Sequence, residues 1–449
     1  MAAFGASRIQ SKFKNVFADH PASDHVFSNL RVGTATGEQN YIQANPKFFC
    51  YASQGGGGPF VVVDLTKPGR VEADHPTVNG HTGACLNFDW NPHNDNVLAT
   101  SSEDCTVKIW NVPDGGFTAN HNEPNASLHG HMRKVTHVKW NPTAANTLAS
   151  VGAEYNVKLW DIEKKAEVWS SDSAHNDLIL DLAWDYTGNQ YATTCKDKNV
   201  RLFDGRSGEL TNMIEGAHSG SKSAKCCFLG PSGNMLTVGF TRTSMRQFKI
   251  WDPRDLTKPL KEVDIDQAAG VIMPFYDNDT GMLFLAGKGD GAIHYFDVQS
   301  TAPYAVPLNT YRSTASARGM AFLPKRGVDV SKLEACRLLK LTTNSVEPLS
   351  FIVPRKSDSF QPDLYPDTAA CEASHTHEQW MGGSNKGPRV ISRDPSSDGK
   401  SHDAAPFAAG GGAPVAFKAP VTVASLQKEL DKANKRIAEL EATIKDMAK

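Results

Sequence analysis

Lys108-Ile-Trp-Asn-Val112 returns along the chain as Lys158-Leu-Trp-Asp-Ile162, Arg201-Leu-Phe-Asp-Gly205, Lys249-Ile-Trp-Asp-Pro253 and His294-Tyr-Phe-Asp-Val298. The aromatic centres Trp110, Trp160, Phe203, Trp251 and Phe296 stand 50, 43, 48 and 45 residues apart. That interval suits a four-stranded propeller blade with loops of variable length. A second marker keeps step with the first. His81, His131 and His175 precede their aromatics by 29, 29 and 28 residues, and Trp90, Trp140 and Trp184 each follow their histidine by nine; His218 joins more loosely, 33 residues before Trp251.

Between the markers, apolar and polar residues alternate and end in turn chemistry such as Asn91-Pro92, Asn141-Pro142 and Thr187-Gly188. A period of two reads as short antiparallel strands and excludes a helical solenoid. Five blades leave sequence on both sides. Residues from about Lys12 to Leu65 contain the apolar run Phe60-Val-Val-Val-Asp-Leu65, and residues from about Ala315 to Val353 contain Gly319-Met-Ala-Phe-Leu323 and Leu349-Ser-Phe-Ile-Val353. Each region predicts one divergent blade, so the all-β domain over 1–355 has seven. A strand near Phe13 to Phe17 is expected to complete the last blade and close the ring, which leaves no sheet edge unpaired.

The 47 basic and 49 acidic residues of the 449 leave a formal charge of −2, which argues against a nucleic-acid-binding field. Eight cysteines show no CxxC spacing and read as reduced, mostly buried thiols. The opening MAAFGASRIQSKFKNVF lacks the apolar run of a signal peptide, and no stretch approaches the roughly 20 apolar residues that span a bilayer. A cytoplasmic protein is expected.

After Val353, Pro354, Pro362, Pro366, Gly382-Gly383, Pro388 and Gly410-Gly-Gly412 give the composition of turns and tethers. From Val423 the spacing changes again. Val423, Leu430, Ile437 and Ile444 take the a positions of a heptad, and Leu426, Ala433, Leu440 and Met447 the d positions. Four such heptads predict a coiled coil over 422–449. A lone helix of that length is marginal in water, so self-association is expected. Arg436 at g and Glu441 at the following e meet across a parallel interface.

The blades resemble those of WD-repeat proteins, whose repeats often share a hydrogen-bonded His, Ser/Thr, Asp and Trp. On that resemblance the first clear repeat holds all four, as His81, Ser102, Asp104 and Trp110, and Trp160 and Trp251 mark their own blades. The next repeat has Gly152 and Glu154 for the Ser and Asp, and the third has Cys195, Asp197 and Phe203, so unequal blade stability is expected. The repetition marks these histidines as structural rather than catalytic.

Ser11-Lys-Phe-Lys-Asn-Val-Phe17, Gly80-His-Thr-Gly-Ala84 through Ser102-Glu-Asp-Cys-Thr-Val107, and Pro354-Arg-Lys-Ser-Asp-Ser-Phe-Gln-Pro-Asp-Leu-Tyr-Pro-Asp-Thr368 together look like a coronin. The resemblance implies a C-terminal extension over 356–385 that packs on the propeller, then a flexible linker over 386–421. Arg436-Ile-Ala-Glu-Leu-Glu441 is similar to the trimerisation motif of short coronins, which implies a parallel homotrimer built on Leu426, Leu430, Arg436, Ile437, Leu440, Glu441 and Ile444.

It further implies binding and cross-linking of filamentous actin at the cell cortex, and dealings with the branch-nucleating actin-related protein complex and with cofilin. The matching basic residue near the propeller start is Arg31, within Asn29-Leu-Arg-Val32, and Lys12 and Lys14 are expected to extend its patch. The competing reading is a generic WD-repeat scaffold for signalling or trafficking, with membrane contact through surface Lys and Arg.

Enzymatic chemistry finds no support in the sequence. Gly55-Gly-Gly-Gly58 lacks the Lys-Ser/Thr and helix start of a phosphate loop and reads as a hairpin loop. His375 and His377 with Glu372 match no strong metal spacing. No catalytic residue, cofactor or metal is expected.

Overall fold

The computed structural model describes residues 11–404, apart from 35, 36, 38 and 358. It is a ring of seven blades. Blade 1 has three strands, Ile42–Ala44, Phe48–Ala52 and Phe60–Asp64. Blades 2 to 6 each have four, with inner strands Cys85–Trp90, Val135–Trp140, Ile179–Trp184, Lys225–Phe228 and Ile272–Tyr276. Blade 7 comprises Gly319–Phe322, Glu334–Leu341 and Ser345–Ile352.

The N-terminus supplies the outer strand of blade 7. Phe17 and Ala18 pair with Ile352 and Phe351, and Phe27 and Ser28 pair with Val346 and Ser345. The closing strand therefore begins where the expected stretch Phe13 to Phe17 ends. Phe13 and Val16 are buried against Phe351, Val353 and Leu364 and act as core. In blade 1 the fourth-strand place is taken by Val78, which bridges Phe60 on one side and His121 on the other.

Apolar side chains from facing blades make the core. Leu236, Val238, Phe248 and Ile250 of blade 5 meet Ile272, Leu283, Leu285 and Phe296 of blade 6. Each such side chain withdrawn from water contributes about 1.5–3 kcal/mol. This explains second strands that are apolar on both faces, such as Met282–Gly287, buried throughout.

Every blade enters its inner strand from one face of the ring, here the upper, and antiparallel order fixes the rest. Loops between blades, and between second and third strands, lie on the upper face. The other loops lie on the lower face.

The extension runs along the lower face. Leu364 is buried beside Tyr365, whose hydroxyl donates to Glu334 O at 3.1 Å. His375 Nε2 meets Thr143 Oγ1 at 3.2 Å, and Ala145 N donates to His375 O. The short helix His377–Met381 starts in a capping box of Thr376 and Gln379, which satisfies two otherwise orphaned donors. Its Trp380 is fully buried against Ala144 and Leu159. Arg206, also buried, donates Nε to Trp380 O at 2.5 Å and Nη2 to Ser384 O at 2.6 Å.

The expected tether over 386–421 needs correction where it is described. Arg389–Ile391 pairs with Thr368–Ala369 on one side and His402–Asp403 on the other. Arg389 bonds Asp403 at 3.0 Å and Ser401 at 2.7 Å, and Arg393 donates to Val328 O at 3.0 Å. Polar and turn-forming residues hold a segment in place when each finds a partner, and composition does not report partners. The coiled-coil expectation over 422–449, with every residue named for it, lies outside the described residues.

Trp380→Ala is expected to cost about 3–5 kcal/mol of stability, as for other buried tryptophans. Limited proteolysis should then cut within 354–404 before the blades. Equal resistance in the two proteins would show that Trp380 does not anchor the extension.

Candidate functional site

Arg31 lies on the upper face, exposed, in the segment leaving the closing strand. Its carbonyl accepts from Gln54 N at 2.9 Å and Ser53 Oγ at 3.0 Å. Its neighbour Leu30 donates to Asn344 O at 2.9 Å, so the backbone is pinned to blades 1 and 7 at once. The Gly55–Gly58 run is the loop between second and third strands of blade 1, as its hairpin reading expects. Gly58 has φ +69°, and a Cβ there would stand 2.0 Å from Gly83 O, so only glycine lets this loop close on blade 2. Burial pushes the nearby Tyr51 hydroxyl up to about 12, against the opposing pull of Arg31. The guanidinium itself has no carboxylate partner among the described residues.

Lys12 and Lys14 do not share this patch. Phe17 pairs with Ile352 at the lower end of the strand Ser345–Ile352, whereas Leu30 bonds Asn344 at its upper end. At about 3.3 Å per residue the strand separates the two places by roughly 23 Å. Lys12 Nζ donates to Asp363 O at 2.9 Å, where the extension begins, and lies over the Phe13 ring. Lys14 is exposed beside it. The sequence offered no sign of this division, because the chain turns along blade 7 between Phe17 and Arg31.

The upper face carries other exposed cations that the sequence reading passed over. Arg133 and Lys134 precede the inner strand of blade 3, beside Met132, which is 85% exposed. Lys196 and Arg242 stand in the loops between second and third strands of blades 4 and 5. Exposed Glu103, Asp172 and Glu215 are interspersed on the same face.

The upper-face loops are held by buried hydrogen-bond chains. In blade 2, His81 Nδ1 meets Asp104 Oδ2 at 2.8 Å, His81 Nε2 meets Thr100 Oγ1 at 2.7 Å, and Trp110 Nε1 donates to Thr100 Oγ1 at 2.9 Å. Burial raises the Asp104 carboxyl, but hydrogen bonds from His81 and Thr106 outweigh it and hold the group well below its usual range. An ionised carboxylate only accepts, so Nδ1 carries the proton. Burial lowers the His81 pKa and keeps the ring neutral, so Nε2 accepts the Thr100 hydroxyl.

The hydroxyl in the chain is thus Thr100 rather than Ser102. Register explains the correction: Trp110 pairs with Leu98, which makes Thr100 its diagonal neighbour on the same side of the sheet. Ser102 instead donates to Gly83 O and accepts from Asp104 N. The same offset recurs. In blade 3, His131 contacts Ser150 and Glu154, each at 2.6 Å, and Trp160 donates to Ser150 at 2.7 Å. That chain is complete, with Glu for Asp and Ser150 in place of the Gly152 position. In blade 5, His218 contacts Thr237 at 2.9 Å and Gln247 at 3.1 Å, and Trp251 donates to Thr237. Blade 4 is the short one. His175 keeps Thr193 at 2.8 Å, but Asp197 turns to Arg201 and His175 Nδ1 is buried without a partner. Burial pulls His175 and His218 down to about 4.

His375 and His377 are seam residues. His377 Nδ1 meets Thr147 Oγ1 at 2.8 Å, and burial takes His375 down to about 4. No group of three or more His, Cys, Asp or Glu among the described residues is placed to hold a metal. No helix among them is long and apolar enough to cross a membrane.

Comparison with known proteins adds three family matches. A domain of unknown function (DUF1899) matches residues 8–70, the WD domain, G-beta repeat, matches 75–111, 122–161 and 168–204, and a type of WD40 repeat matches 346–388. Among solved structures, the chain is similar to the WD40 domain of Toxoplasma gondii coronin. The two are 32% identical with a TM-score of 0.80, over 85% of this chain and 98% of that one.

Thr100 and Trp110 should be energetically coupled. A double-mutant cycle of Thr100→Val with Trp110→Phe is expected to give a coupling free energy of about 0.5–3 kcal/mol in chemical unfolding. The cycle of Ser102→Ala with Trp110→Phe should be additive within about 0.5 kcal/mol. The reverse ranking would restore Ser102 to the chain.

Proposed function

The chain belongs to the coronin family, and from that premise we propose that it binds filamentous actin through its upper face and cross-links filaments by self-association. The observation that carries the reading is Arg31, an exposed guanidinium without a carboxylate partner among the described residues, on backbone pinned to blades 1 and 7. A planar fork pairs a carboxylate bidentately, and the outer surface of actin is acidic. One exposed pair contributes about 1 kcal/mol or less, so neighbouring cations such as Arg133, Lys134, Lys196 and Arg242 share the work of steering and holding. Lys12 and Lys14 act as a separate, lower-face contact.

The family resemblance extends the proposal to the branch-nucleating actin-related protein complex and cofilin as partners, at the cytoplasmic cortex, with the protein acting as a scaffold rather than an enzyme. Weak heads become useful when joined. The heptads of 422–449 favour self-association, the likeness of Arg436-Ile-Ala-Glu-Leu-Glu441 to the trimerisation motif of short coronins favours a parallel trimer, and tethering raises avidity by about 10²–10⁴ where the linker spans neighbouring sites.

Arg31→Asp removes the attraction and adds repulsion, so the apparent Kd in high-speed actin co-sedimentation should rise at least about fivefold, with a weaker salt dependence. Lys12→Glu with Lys14→Glu should weaken pelleting less than Arg31→Asp does. Absence of wild-type pelleting at low salt would favour a generic scaffold instead.

Leu440→Asp places a charge in the predicted seam. Sedimentation equilibrium should report a monomer, and low-speed pelleting of actin bundles should fall to the level of filaments alone. Undiminished bundling by a proven monomer would defeat the cross-linking mechanism.

A further inference from the structure

The inner strands of blades 2 to 5 share one register. Phe88, Val138, Leu182 and Cys226 lie opposite Thr100, Ser150, Thr193 and Thr237, the hydroxyls already described. The residues just before them, Asn87, His137, Asp181 and Lys225, therefore stand at one level around the central channel. Side chains at this level reach the next blade. Asn87 Oδ1 accepts from Val138 N at 3.3 Å, and Asp181 Oδ2 from Cys226 N at 3.1 Å.

Lys225 breaks the pattern. Phe296 pairs with Leu283, so the corresponding residue of blade 6 is Pro274, opposite Leu285, and it has no N–H to give. Lys225, itself a donor, has no hydrogen-bond or carboxylate partner among the described residues, although it is only 7% exposed. Its Nζ is not among the sealed, unpartnered polar atoms of the interior, so the ammonium opens on the channel rather than on the core.

His137, 6% exposed, completes the setting. Thr136 Oγ1 donates to Val151 O and so receives His137 Nδ1–H at 3.0 Å, which leaves Nε2 as an acceptor. Burial first, and Lys225 second, hold His137 down at about 4, with Lys139 adding to the effect and Asp181 opposing it. Lys139 is balanced by Asp89 at 3.4 Å. The level thus offers one unmatched cation, Lys225, and two acceptors, His137 Nε2 and Asp181 Oδ1.

We propose that the central channel holds a binding site for a protonated phosphate group, with Lys225 taking an anionic oxygen and His137 and Asp181 accepting phosphate hydroxyls. Sulfate carries the same shape and no hydroxyl near neutrality, so it lacks the donors that His137 and Asp181 require. Neither the upper-face actin reading nor self-association enters this inference.

Thermal unfolding of the full chain at pH 6.5 and fixed ionic strength tests it. Inorganic phosphate should raise Tm by about 2–4 °C at many times its Kd, along the logarithmic curve of site binding, steep near Kd and shallow above it. Sodium sulfate should give only the small, linear rise of an excluded salt, and Lys225→Met should remove the phosphate increment. Glycerol 3-phosphate in a parallel arm separates a free ion from a phosphate monoester: a logarithmic rise there widens the ligand to monoesters, and no rise restricts it to the free ion. An equal logarithmic rise with sulfate, or an unchanged phosphate increment in Lys225→Met, would overturn the proposal. Should that variant not fold, broadening of the inorganic phosphate ³¹P resonance by the wild-type chain decides, and an unbroadened line overturns the site.

Discussion

A ring of sheets has one seam, and everything else in this molecule depends on how that seam is closed. Blade 7 takes three strands from the end of the propeller sequence and its outer strand from the beginning, where Phe17–Ala18 and Phe27–Ser28 pair along Ser345–Ile352. Without that pairing, an eight-residue strand would present open N–H and C=O groups to water and to other chains. Closure also brings Arg31 to the upper rim. The pairing that completes the ring thus sets the position of the candidate contact, and neither could move without the other.

The blade pattern was legible because large aromatics on third strands repeat with the architecture, and burial between blades requires them. The hydroxyl partner was not legible. Ser102 and Thr100 are both hydroxyl residues in one strand, and only pairing of Trp110 with Leu98 selects the second. The same ambiguity made blade 3 look degraded, although Ser150 and Glu154 complete its chain. Local sequence spacing gave the members of a network, and sheet register gave its wiring. Arg31 could be found by resemblance alone, since nothing in its composition or periodicity marks it. Its separation from Lys12 and Lys14 required knowing that the closing strand runs the height of the ring.

The extension shows where composition misleads. Proline, glycine and serine in 354–404 suggest a tether, yet Trp380 and Leu364 are fully buried and Arg206 is enclosed. Those anchors are sparse, so no period betrays them. Arg206 lies in the lower loop of blade 4 and meets Trp380 O, Ser384 O and Asn385 Oδ1, which a stretch of sequence 174 residues away could not announce. Arginine suits the role because its rigid fork serves several carbonyls at once, where a lysine would offer one point of charge.

The two faces consequently differ in what they can do. The lower face is occupied by the chain's own extension, whose last described strand, His402–Asp403, pairs on that side. Among the described residues, the upper-face loops of blades 2, 3 and 5 are held from beneath by complete buried networks, and Arg31, Arg133, Lys134, Lys196 and Arg242 meet solvent on that face. A binding head whose contact surface is stiff loses little conformational freedom on association, which favours many weak contacts over one strong one.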